Sequence, residues 1–570
     1  MSVRFLPPKP TSSNEKSAKL DLQMPDAITD CMTNSKQPSR VPFTAPRTLA
    51  LLVLALIPFW TVPLAHVFSE PQTATGFFQY ELPYYVANGR AAFERGNGFL
   101  YPNPYDASAD SPAIYTHWLP WTLGLLTTKL GCDPGDVILT LTLFASLAFA
   151  WATQILVLHR VATHRRKTFA FLLAMWGGGL LALAGSVRCV FQTTSWLENV
   201  LQFDPGNGMW FLNWGRNALF PTEAIYHTLV ALCWLSEITK KQAMANIWLL
   251  LLATTHPWSG LELLLTINLW RAIELFRHRD HRCLNHLSIS ALTLVVFLSY
   301  YKVWLPSFPQ HAELQNVWEL NWSVSWTAAG LAYLPVLIPG AIVLARKSRV
   351  GSVDRTEQFL VCALFIATGL AFHDRLIKPV QPIHFTRGYV WMPLFLLSLP
   401  LLLQWADAAS KATPLRKLAA IFIVAVLIAD NLAFAIVHSN RQTNLADGFH
   451  LDSDERALCD ALHQSPDTTN RIVLSESETL NYLLPTYANV RPWLGHHFNT
   501  PLFPTRKAVW KQIFADNEVA IDSIPADVEV IIVRRTRDVS QLAASPSWST
   551  RSLLNAEWQT WHRVSHTDRL

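Results

Sequence analysis

The chain has 570 residues, of which 51% are hydrophobic and only 15% are charged, and its formal net charge is +5. Soluble globular domains are about a quarter charged, so this composition indicates an integral membrane protein. The seven cysteines are scattered, mostly through apolar runs, and show neither the CxxC pairs of a zinc site nor a disulfide framework. No nucleic-acid-binding pattern is present, and the small positive charge identifies no partner, because Lys and Arg in such a chain set its topology.

The first 46 residues are rich in Pro, Ser, Thr and Lys and lack an apolar period, which predicts a disordered cytoplasmic tail, residues 1–46. Twelve apolar segments follow, each approaching the roughly 20 residues that a helix needs to cross a bilayer. These segments are 48–68, 113–130, 136–158, 168–190, 223–238, 244–256, 259–276, 284–305, 324–345, 356–372, 388–405 and 416–437.

Clusters of basic residues give the orientation, because such clusters stay on the cytoplasmic side. They lie at 159–167, 240–241, 277–282, 346–349 and 411–417. The expected outer segments are then the loops 69–112, 191–222, 306–323 and 373–387, and everything after 437. With the N-terminus inside and the C-terminus outside, the number of crossings is odd. We therefore expect eleven crossings, with 113–130 as a re-entrant or tilted element. These crossings would form an all-α polytopic domain, residues 47–440, in the cell membrane.

The segment 445–570 has a different pattern. RIVLSES and VEVIIVRR are typical of buried strands, ERALCDALHQ and TRKAVWKQIFADN of amphipathic helices, and EWQTWHRVSH of a final edge strand. We expect a small extracytoplasmic α/β domain without a phosphate loop or a catalytic triad. Its polar, aromatic stretch GHHFNTP, at 495–501, is expected to face the membrane site.

The first outer loop begins with a single acidic residue, Glu81, in QYELPYYVANGR. A helix starting near Pro83 would bring the tyrosines, the asparagine and Arg90 of this stretch close to it. A carboxylate that aromatic rings partly desolvate is suited to accepting a proton from a hydroxyl, so Glu81 is the predicted catalytic residue. The alternative is a loop carboxylate paired with Arg90 or Arg95.

Further along this loop, Asp106 and Asp110 stand four residues apart in NPYDASADSP. Two such carboxylates are suited to a divalent cation, whereas Asp in a loop of Pro, Ser and Ala is more often a turn or cap residue. His117, before the next apolar segment, is either a phosphate contact or an interfacial residue. The predicted substrate-binding residues of this loop are Arg90, Asp106 and His117.

The second outer loop, WLENVLQFDPGNGMWFLNWGRNALFPTEAIYH, interleaves aromatic rings with amides and acids. Sugars bind such surfaces because their C–H faces stack on rings and their hydroxyls need polar partners. A tryptophan belt at the membrane interface has the same composition. Glu223 and His227 lie four residues apart, on one helical face. The predicted substrate-binding residues are Asp204, Arg216, Glu223, His227 and, in the later break THPWSG, His256.

The third outer loop, FHDRLIKPVQPIHFTRGYVW, is the most basic of the outer loops. Positive-inside bias disfavours cations there, so the cluster predicts a phosphate or pyrophosphate site, with contacts to anionic lipid headgroups as the alternative. The predicted substrate-binding residues are Arg375, Lys378, His384 and Arg387.

The order of these features resembles the GT-C superfamily of polyprenyl-phosphate-sugar-dependent glycosyltransferases, which includes the protein O-mannosyltransferases and the aminoarabinose transferases. The matching pieces are Glu81 with YYVANGR, LYPNPYD, SPAIYTHWLPWTLGLL, HFTRGYVWMPL and the segment 445–570. Many relatives carry paired acids after the first span, whereas Gln79 and Tyr80 precede Glu81 in this chain. The second outer loop also lacks the Asp-x-Asp of metal-dependent oligosaccharyltransferases.

The resemblance implies an inverting transfer of a sugar from a polyprenyl phosphate to an acceptor on the extracytoplasmic face. Glu81 would deprotonate or orient the acceptor hydroxyl, and Arg387, Lys378 and Arg375 would stabilise the departing lipid phosphate. The implied partners are the lipid-linked sugar and membrane lipids, a divalent metal is left open, and no other cofactor is expected. A transporter or flippase, and an O-antigen-type polymerase or ligase, stay as alternatives.

Overall fold

The computed structural model describes residues 45–69, 73–161, 164–192, 200, 203, 212–279, 281–317, 322–440, 448–551 and 557–564. Most of these residues are helical, and a small sheet lies near the C-terminal end. Within the described ranges, six helices are long and apolar enough to cross a membrane, or seven if one bent pair forms a single span. The protein is therefore mostly helical with several candidate spans, and the expected eleven crossings stay a prediction.

Helices and strands of the described ranges are numbered in chain order. The helices are α1 (Ala45–Val67), α2 (Leu82–Glu94), α3 (Trp118–Gly124), α4 (Pro134–Val161), α5 (Lys167–Trp176), α6 (Leu181–Cys189), α7 (Pro221–Ile238), α8 (Gln242–Ala253), α9 (Pro257–His278), α10 (His281–Ser299), α11 (Pro309–Val317), α12 (Trp326–Arg349), α13 (Arg355–Ala371), α14 (Trp391–Lys411), α15 (Pro414–Ser439), α16 (Ser453–Gln464), α17 (Glu478–Tyr487), α18 (Phe503–Ile513) and α19 (Ser540–Ala544). The strands are β1 (Thr73–Ala74), β2 (His450–Leu451), β3 (Ile472–Ser475), β4 (Arg491–Pro492), β5 (Val530–Arg534), β6 (Trp548–Arg551) and β7 (Trp558–Arg563).

Local sequence chemistry sets several of these boundaries. Proline stands in the first turn of α2, α7 and α9, where its fixed φ favours a helix and its missing N–H costs nothing. Asp354 and Glu357 form a reciprocal capping box at the start of α13. The segment 113–130 forms only the short α3 and one π-helical turn, Leu125–Lys129, so no single long helix is present there.

The 28-residue α4, roughly 42 Å long at 1.5 Å per residue, extends from the first outer loop to a cluster of charged residues at its other end. At its beginning, Gly135 packs against the backbone of Gly76 in the first outer loop. At its last turn, Arg160 pairs with Asp354 at 3.0 Å, and Lys347 lies 3.9 Å from the same carboxylate. Two basic clusters that the sequence assigns to the cytoplasm thus meet at one end, opposite the first outer loop. Which end faces the cytoplasm stays a prediction.

The C-terminal region contains a five-stranded mixed sheet of order β4-β3-β5-β7-β6. β3 pairs in parallel with β4 and β5, and β7 pairs antiparallel with β5 and β6. Every residue of β3 is buried, as expected for a continuous apolar run covered on both faces. The prediction of EWQTWHRVSH as an edge strand was wrong, because β6 pairs with the outer side of β7. The division of the chain into domains stays a prediction.

The C-terminal region packs directly on the first outer loop. β1 pairs antiparallel with β2. The Thr486 hydroxyl donates to the Pro83 carbonyl at 3.2 Å, and the Tyr482 hydroxyl donates to the Tyr80 carbonyl. These contacts bring the C-terminal loop 495–501 next to the start of α2.

Candidate functional site

Glu81 lies immediately before the first residue of α2, where the first outer loop turns into a helix. Its backbone N–H donates to the Gln79 side chain at 2.8 Å, which fixes this turn. The Glu81 carboxylate does not cap the helix, and its side chain is 39% exposed. A carboxylate at a helix N-terminus is stabilised by the helix dipole, and this one is accessible to a ligand.

The carboxylate has a partner from the C-terminal region. His496 Nε2 lies 3.2 Å from Glu81 Oε2, and the His496 side chain is only 1% exposed. The other ring nitrogen, Nδ1, accepts from the Phe498 backbone N–H at 3.1 Å and from the Asn499 amide at 3.0 Å. The loop 495–501 therefore contacts the predicted catalytic residue.

Four tyrosine rings surround the His496 imidazole. Their centroids lie between 5.1 and 5.5 Å from the centroid of His496, and they belong to Tyr80, Tyr84, Tyr105 and Tyr482. Burial raises the pKa of Tyr84 to about 12, so its hydroxyl stays neutral at physiological pH. The rings exclude water from the histidine side of the pair, while Glu81 stays partly exposed.

Arg387, in the third outer loop, is buried among polar partners. Its Nη1 donates to the Glu223 carboxylate in an ion pair, and its Nη2 donates to His384 Nδ1 at 2.6 Å. Burial lowers the pKa of His384 to about 3, so this imidazole is neutral and its Nδ1 accepts the hydrogen bond. The ring of His384 stacks on Trp258, with centroids 5.2 Å apart.

The backbone at Arg387 is fixed as well. Its carbonyl accepts from His227 Nε2 at 2.6 Å and from the Asn217 amide at 3.0 Å. The next residue, Gly388, has a φ of +82°, and a Cβ there would lie 2.7 Å from the backbone of a neighbouring turn. Only glycine fits this position without strain. Side chains of α7 thus hold both the guanidinium and the carbonyl of Arg387.

Ring contacts connect the surroundings of Glu81 with those of Arg387, although the sequence separates the two residues widely. Phe498, two residues after His496, lies 5.9 Å from the ring of Trp322, and Trp322 lies 5.9 Å from the ring of His384, the hydrogen-bond partner of Arg387. Burial lowers the pKa of Arg387, and the neighbouring Tyr389, Tyr85 and Glu81 oppose that effect. Burial and, to a smaller extent, the neighbouring Glu81 raise the pKa of Tyr85 to about 12, while Arg387 opposes that effect. The structure thus brings the predicted residues of the first, second and third outer loops together.

Two further predicted histidines lie beside this group. His117 precedes α3, with Nδ1 2.7 Å from the Tyr101 hydroxyl and Nε2 3.1 Å from the Tyr301 hydroxyl. Burial lowers the pKa of His117 to about 4. His256 caps α9 by accepting from the Ser259 backbone N–H at 3.2 Å, and its ring stacks on that of Tyr226 in α7, with centroids 4.2 Å apart.

Three predicted substrate-binding residues are engaged elsewhere. Arg216 is fully buried, and its Nε donates to Asn431 of α15 at 3.0 Å. Arg90 pairs at 2.5 Å with the acid one turn further along α2 and not with Glu81. Asp106 accepts from a backbone N–H two residues on, at 3.0 Å, which is the turn geometry of the alternative interpretation. These contacts favour a structural role for each.

The remaining predicted residues of the outer loops are more dispersed. The guanidinium of Arg375 lies 3.5 Å from Asp374 and 5.9 Å from the ring of Trp326, at the start of α12. Lys378 is exposed. Asp204 lies outside the described residues.

The described residues contain one group of acids suited to a metal ion, Asp452, Asp454 and Glu557, whose ligand atoms lie within 4.8 Å of one another. Glu557 already pairs with Arg534 at 2.9 Å, and Asp452 caps α16. In the described part of the chain, Asp106 and Asp110 belong to no such group. Metal dependence stays open.

Sequence reasoning missed several residues of the site, namely His496, Tyr226 and Tyr389. The Tyr389 hydroxyl donates to Ser259 at 2.6 Å, next to His256. In the sequence these tyrosines are indistinguishable from interfacial ones. The only signal in the sequence was the stretch GHHFNTP, which drew attention to the loop but not to His496 itself.

No protein-family model and no curated protein matches the sequence. Among solved structures, the chain is similar to an archaeal oligosaccharyltransferase, AglB from Archaeoglobus fulgidus, in complex with an inhibitory peptide and a dolichol-phosphate. The TM-score is 0.42 and the identity 11%, over 85% of this chain and 69% of that one. It is also similar to ArnT from Cupriavidus metallidurans bound to undecaprenyl phosphate, with a TM-score of 0.40 and 12% identity over 92% of this chain and 99% of that one.

With TM-scores below 0.5, these similarities assign neither a donor nor an acceptor to this chain.

Proposed function

We propose that this protein is an inverting membrane glycosyltransferase that moves a sugar from a polyprenyl-phosphate donor to an acceptor on the extracytoplasmic face. The observation that carries this proposal is the juxtaposition of Glu81 and Arg387. A partly exposed carboxylate and a buried guanidinium belong to one connected group of side chains, because Phe498 of the loop that carries His496 contacts Trp322, and Trp322 contacts His384, the partner of Arg387. Transfer from a lipid phosphate needs this pair of groups, a proton acceptor and a cation for the leaving group.

The proposed reaction is a single displacement at the anomeric carbon. The acceptor oxygen forms a bond to that carbon while its proton passes to Glu81. The bond between the anomeric carbon and the phosphate oxygen breaks, and the electron pair stays on the polyprenyl phosphate. Arg387 stabilises this charge. One displacement inverts the anomeric configuration.

The contacts that Arg387 makes within the protein are compatible with this role. A guanidinium has five N–H donors in a planar fork, and Glu223 and His384 accept two of them. Because Glu223 and His227 of α7 hold the residue at its side chain and its carbonyl, the guanidinium is oriented before a phosphate arrives. Such pre-organisation is what makes charged groups effective in catalysis.

Aromatic side chains beside Arg387 offer a surface for the sugar. The rings of Trp258 and Trp322 lie 5.2 and 5.9 Å from the ring of His384, and both are only partly buried. Partly exposed indoles stack on the C–H faces of sugars. The sugar would then lie between the tryptophans and Glu81.

The test is a transfer assay with purified protein, a labelled polyprenyl-phosphate sugar and a membrane extract as the acceptor source. Glu81→Gln removes the proton acceptor and is expected to lower kcat at least 100-fold, the usual contribution of a general base. Arg387→Ala is expected to cause a loss of similar size.

Matched controls exist for both substitutions. Asp110→Asn neutralises an exposed acid of the same outer loop, and Arg349→Ala removes an exposed arginine at the end of α12. Both should transfer label at the wild-type rate. Full activity of Glu81→Gln and Arg387→Ala would contradict the proposed site.

A further inference from the structure

We infer that His496 is a positioning residue for Glu81, through which the C-terminal loop 495–501 fixes the catalytic carboxylate. This inference rests on the proposed function of Glu81. It adds a residue that lies outside the helical region and that takes no part in the displacement itself.

The hydrogen bonds of His496 determine which ring nitrogen carries the proton. Nδ1 faces two donors, the Phe498 backbone N–H at 3.1 Å and the Asn499 amide at 3.0 Å. A backbone N–H can only donate, so Nδ1 holds a lone pair. In this tautomer the ring proton is on Nε2, which donates to Glu81 Oε2 at 3.2 Å.

The loop that carries His496 is itself immobilised on the first outer loop. The Asn103 amide donates to the Asn499 carbonyl at 2.6 Å, and the Tyr80 hydroxyl accepts from the His497 backbone N–H at 3.0 Å. Gly495 packs so closely that a Cβ would lie 2.6 Å from the ring of Tyr105. The surrounding tyrosine rings leave the imidazole no alternative position.

The consequence is a carboxylate with one oriented oxygen. Oε2 accepts the His496 hydrogen bond, which leaves Oε1 of the partly exposed carboxylate as the oxygen that would accept the proton of the acceptor hydroxyl. Holding a base close to its productive position saves the entropy of orienting it during the reaction. Glu81 alone, on an exposed helix start, would sample several rotamers.

Two conservative variants separate the two hydrogen-bonding functions of the imidazole. His496→Asn places an amide where Nδ1 lies, so it can satisfy the loop N–H groups but offers no donor to Glu81. His496→Gln reaches the position of Nε2 and can donate to Glu81. The adjacent His497→Ala is the matched control, because the side chain of His497 is exposed and its ring contacts Phe498 and Phe503.

In the transfer assay, His496→Asn is expected to lower kcat about 10- to 100-fold with little change in KM and in thermal midpoint. His496→Gln should retain activity within about fivefold of wild type, and His497→Ala should be unchanged. In the double variant Glu81→Gln/His496→Asn, the rate should equal that of Glu81→Gln alone, because His496 acts through the carboxylate.

Other outcomes overturn the inference. Wild-type kcat in His496→Asn, equal losses in the Asn and Gln variants with a lowered thermal midpoint, or an additional loss in the double variant would each contradict it. If Glu81→Gln is inactive while His496→Asn is normal, only the positioning role fails. If the wild-type protein transfers no sugar, or if Glu81→Gln is fully active, the proposed function itself fails.

Discussion

At the scale of residues, the ion pair between Arg387 and Glu223 attaches the end of the third outer loop to α7. The Arg387 guanidinium pairs with Glu223 of α7, so the charge of a cation in a loop where positive-inside bias disfavours one is compensated within the protein. Removing one partner of a buried pair leaves an uncompensated charge, which costs about 3 to 5 kcal/mol.

Substitutions in this pair test its effect on stability and its effect on activity separately. We expect Glu223→Gln to lower the thermal midpoint in detergent more than the double variant Glu223→Gln/Arg387→Gln does, because the double variant buries no net charge. Both variants should lose transfer activity. Equal midpoints for the single and double variants would show that the pair is not a buried ion pair in solution.

The histidines give a prediction about pH. The folded protein holds His117 and His384 neutral, with pKa values of about 4 and about 3, whereas an unfolded histidine titrates near 6.5. Between about pH 6.5 and 4 the unfolded state therefore binds more protons, so stability falls as pH falls, by at most about 1.4 kcal/mol per pH unit and group. The thermal midpoint should drop between about pH 7 and pH 5, and His117→Asn should reduce that drop. If the thermal midpoint of His117→Asn depends on pH as that of the wild type does, the lowered pKa of His117 is contradicted.

At the scale of elements, the position of Glu81 depends on a close crossing of α2 and α3. A Cβ on Gly89 would collide with the Pro120 carbonyl oxygen, and one on Gly124 would collide with the Gly89 carbonyl oxygen. Only glycine lets the two backbones approach this closely. Glu81 precedes one helix and His117 precedes the other, so the crossing sets their separation.

We therefore expect Gly89→Ala and Gly124→Ala to destabilise the protein by about 1 to 3 kcal/mol, the usual cost of overpacking, and to lower transfer activity. Gly369→Ala is the control, because nothing lies within 4 Å of a Cβ at that position of α13. Its thermal midpoint should be unchanged or slightly raised. Wild-type behaviour of Gly89→Ala would indicate that α2 can shift without consequence.

At the scale of the whole molecule, the two ends of α4 give the basis for a topology test. Cys132 is exposed just before α4, on the side of the first outer loop, and Arg349 is exposed at the opposite end of the bundle. A membrane-impermeant maleimide should label Cys132 in intact cells, and Cys132→Ser should lower that signal to the level that Cys189 contributes at the end of α6. In a Cys132→Ser background, Arg349→Cys should be labelled only after permeabilisation. Labelling of Arg349→Cys in intact cells, with Cys132 labelled only after permeabilisation, would show that the orientation is opposite to the predicted one.

Much of the element pattern could be predicted from local sequence, because long apolar runs, prolines and capping residues act over a few residues. The helix after Glu81 and the strands of RIVLSES and VEVIIVRR are examples. The edge position of the final strand could not be predicted, because strand order depends on a partner, β6, that shares no local pattern with β7. The eleven expected crossings stay a prediction, because several of the apolar segments form helices that are too short or not apolar enough to be counted as spans by themselves.

By itself, the sequence indicated a membrane protein and singled out Glu81, Glu223 and Arg387 as candidate site residues, because burying a charge in an apolar chain is costly and such charges stand out. Only the tertiary structure decided which of these groups meet. Arg387 pairs with Glu223, Arg216 and Arg90 bond to partners outside the group, and His496 of the C-terminal region contacts Glu81. Contacts between such distant residues depend on the packing of helices and sheet, which no local pattern encodes.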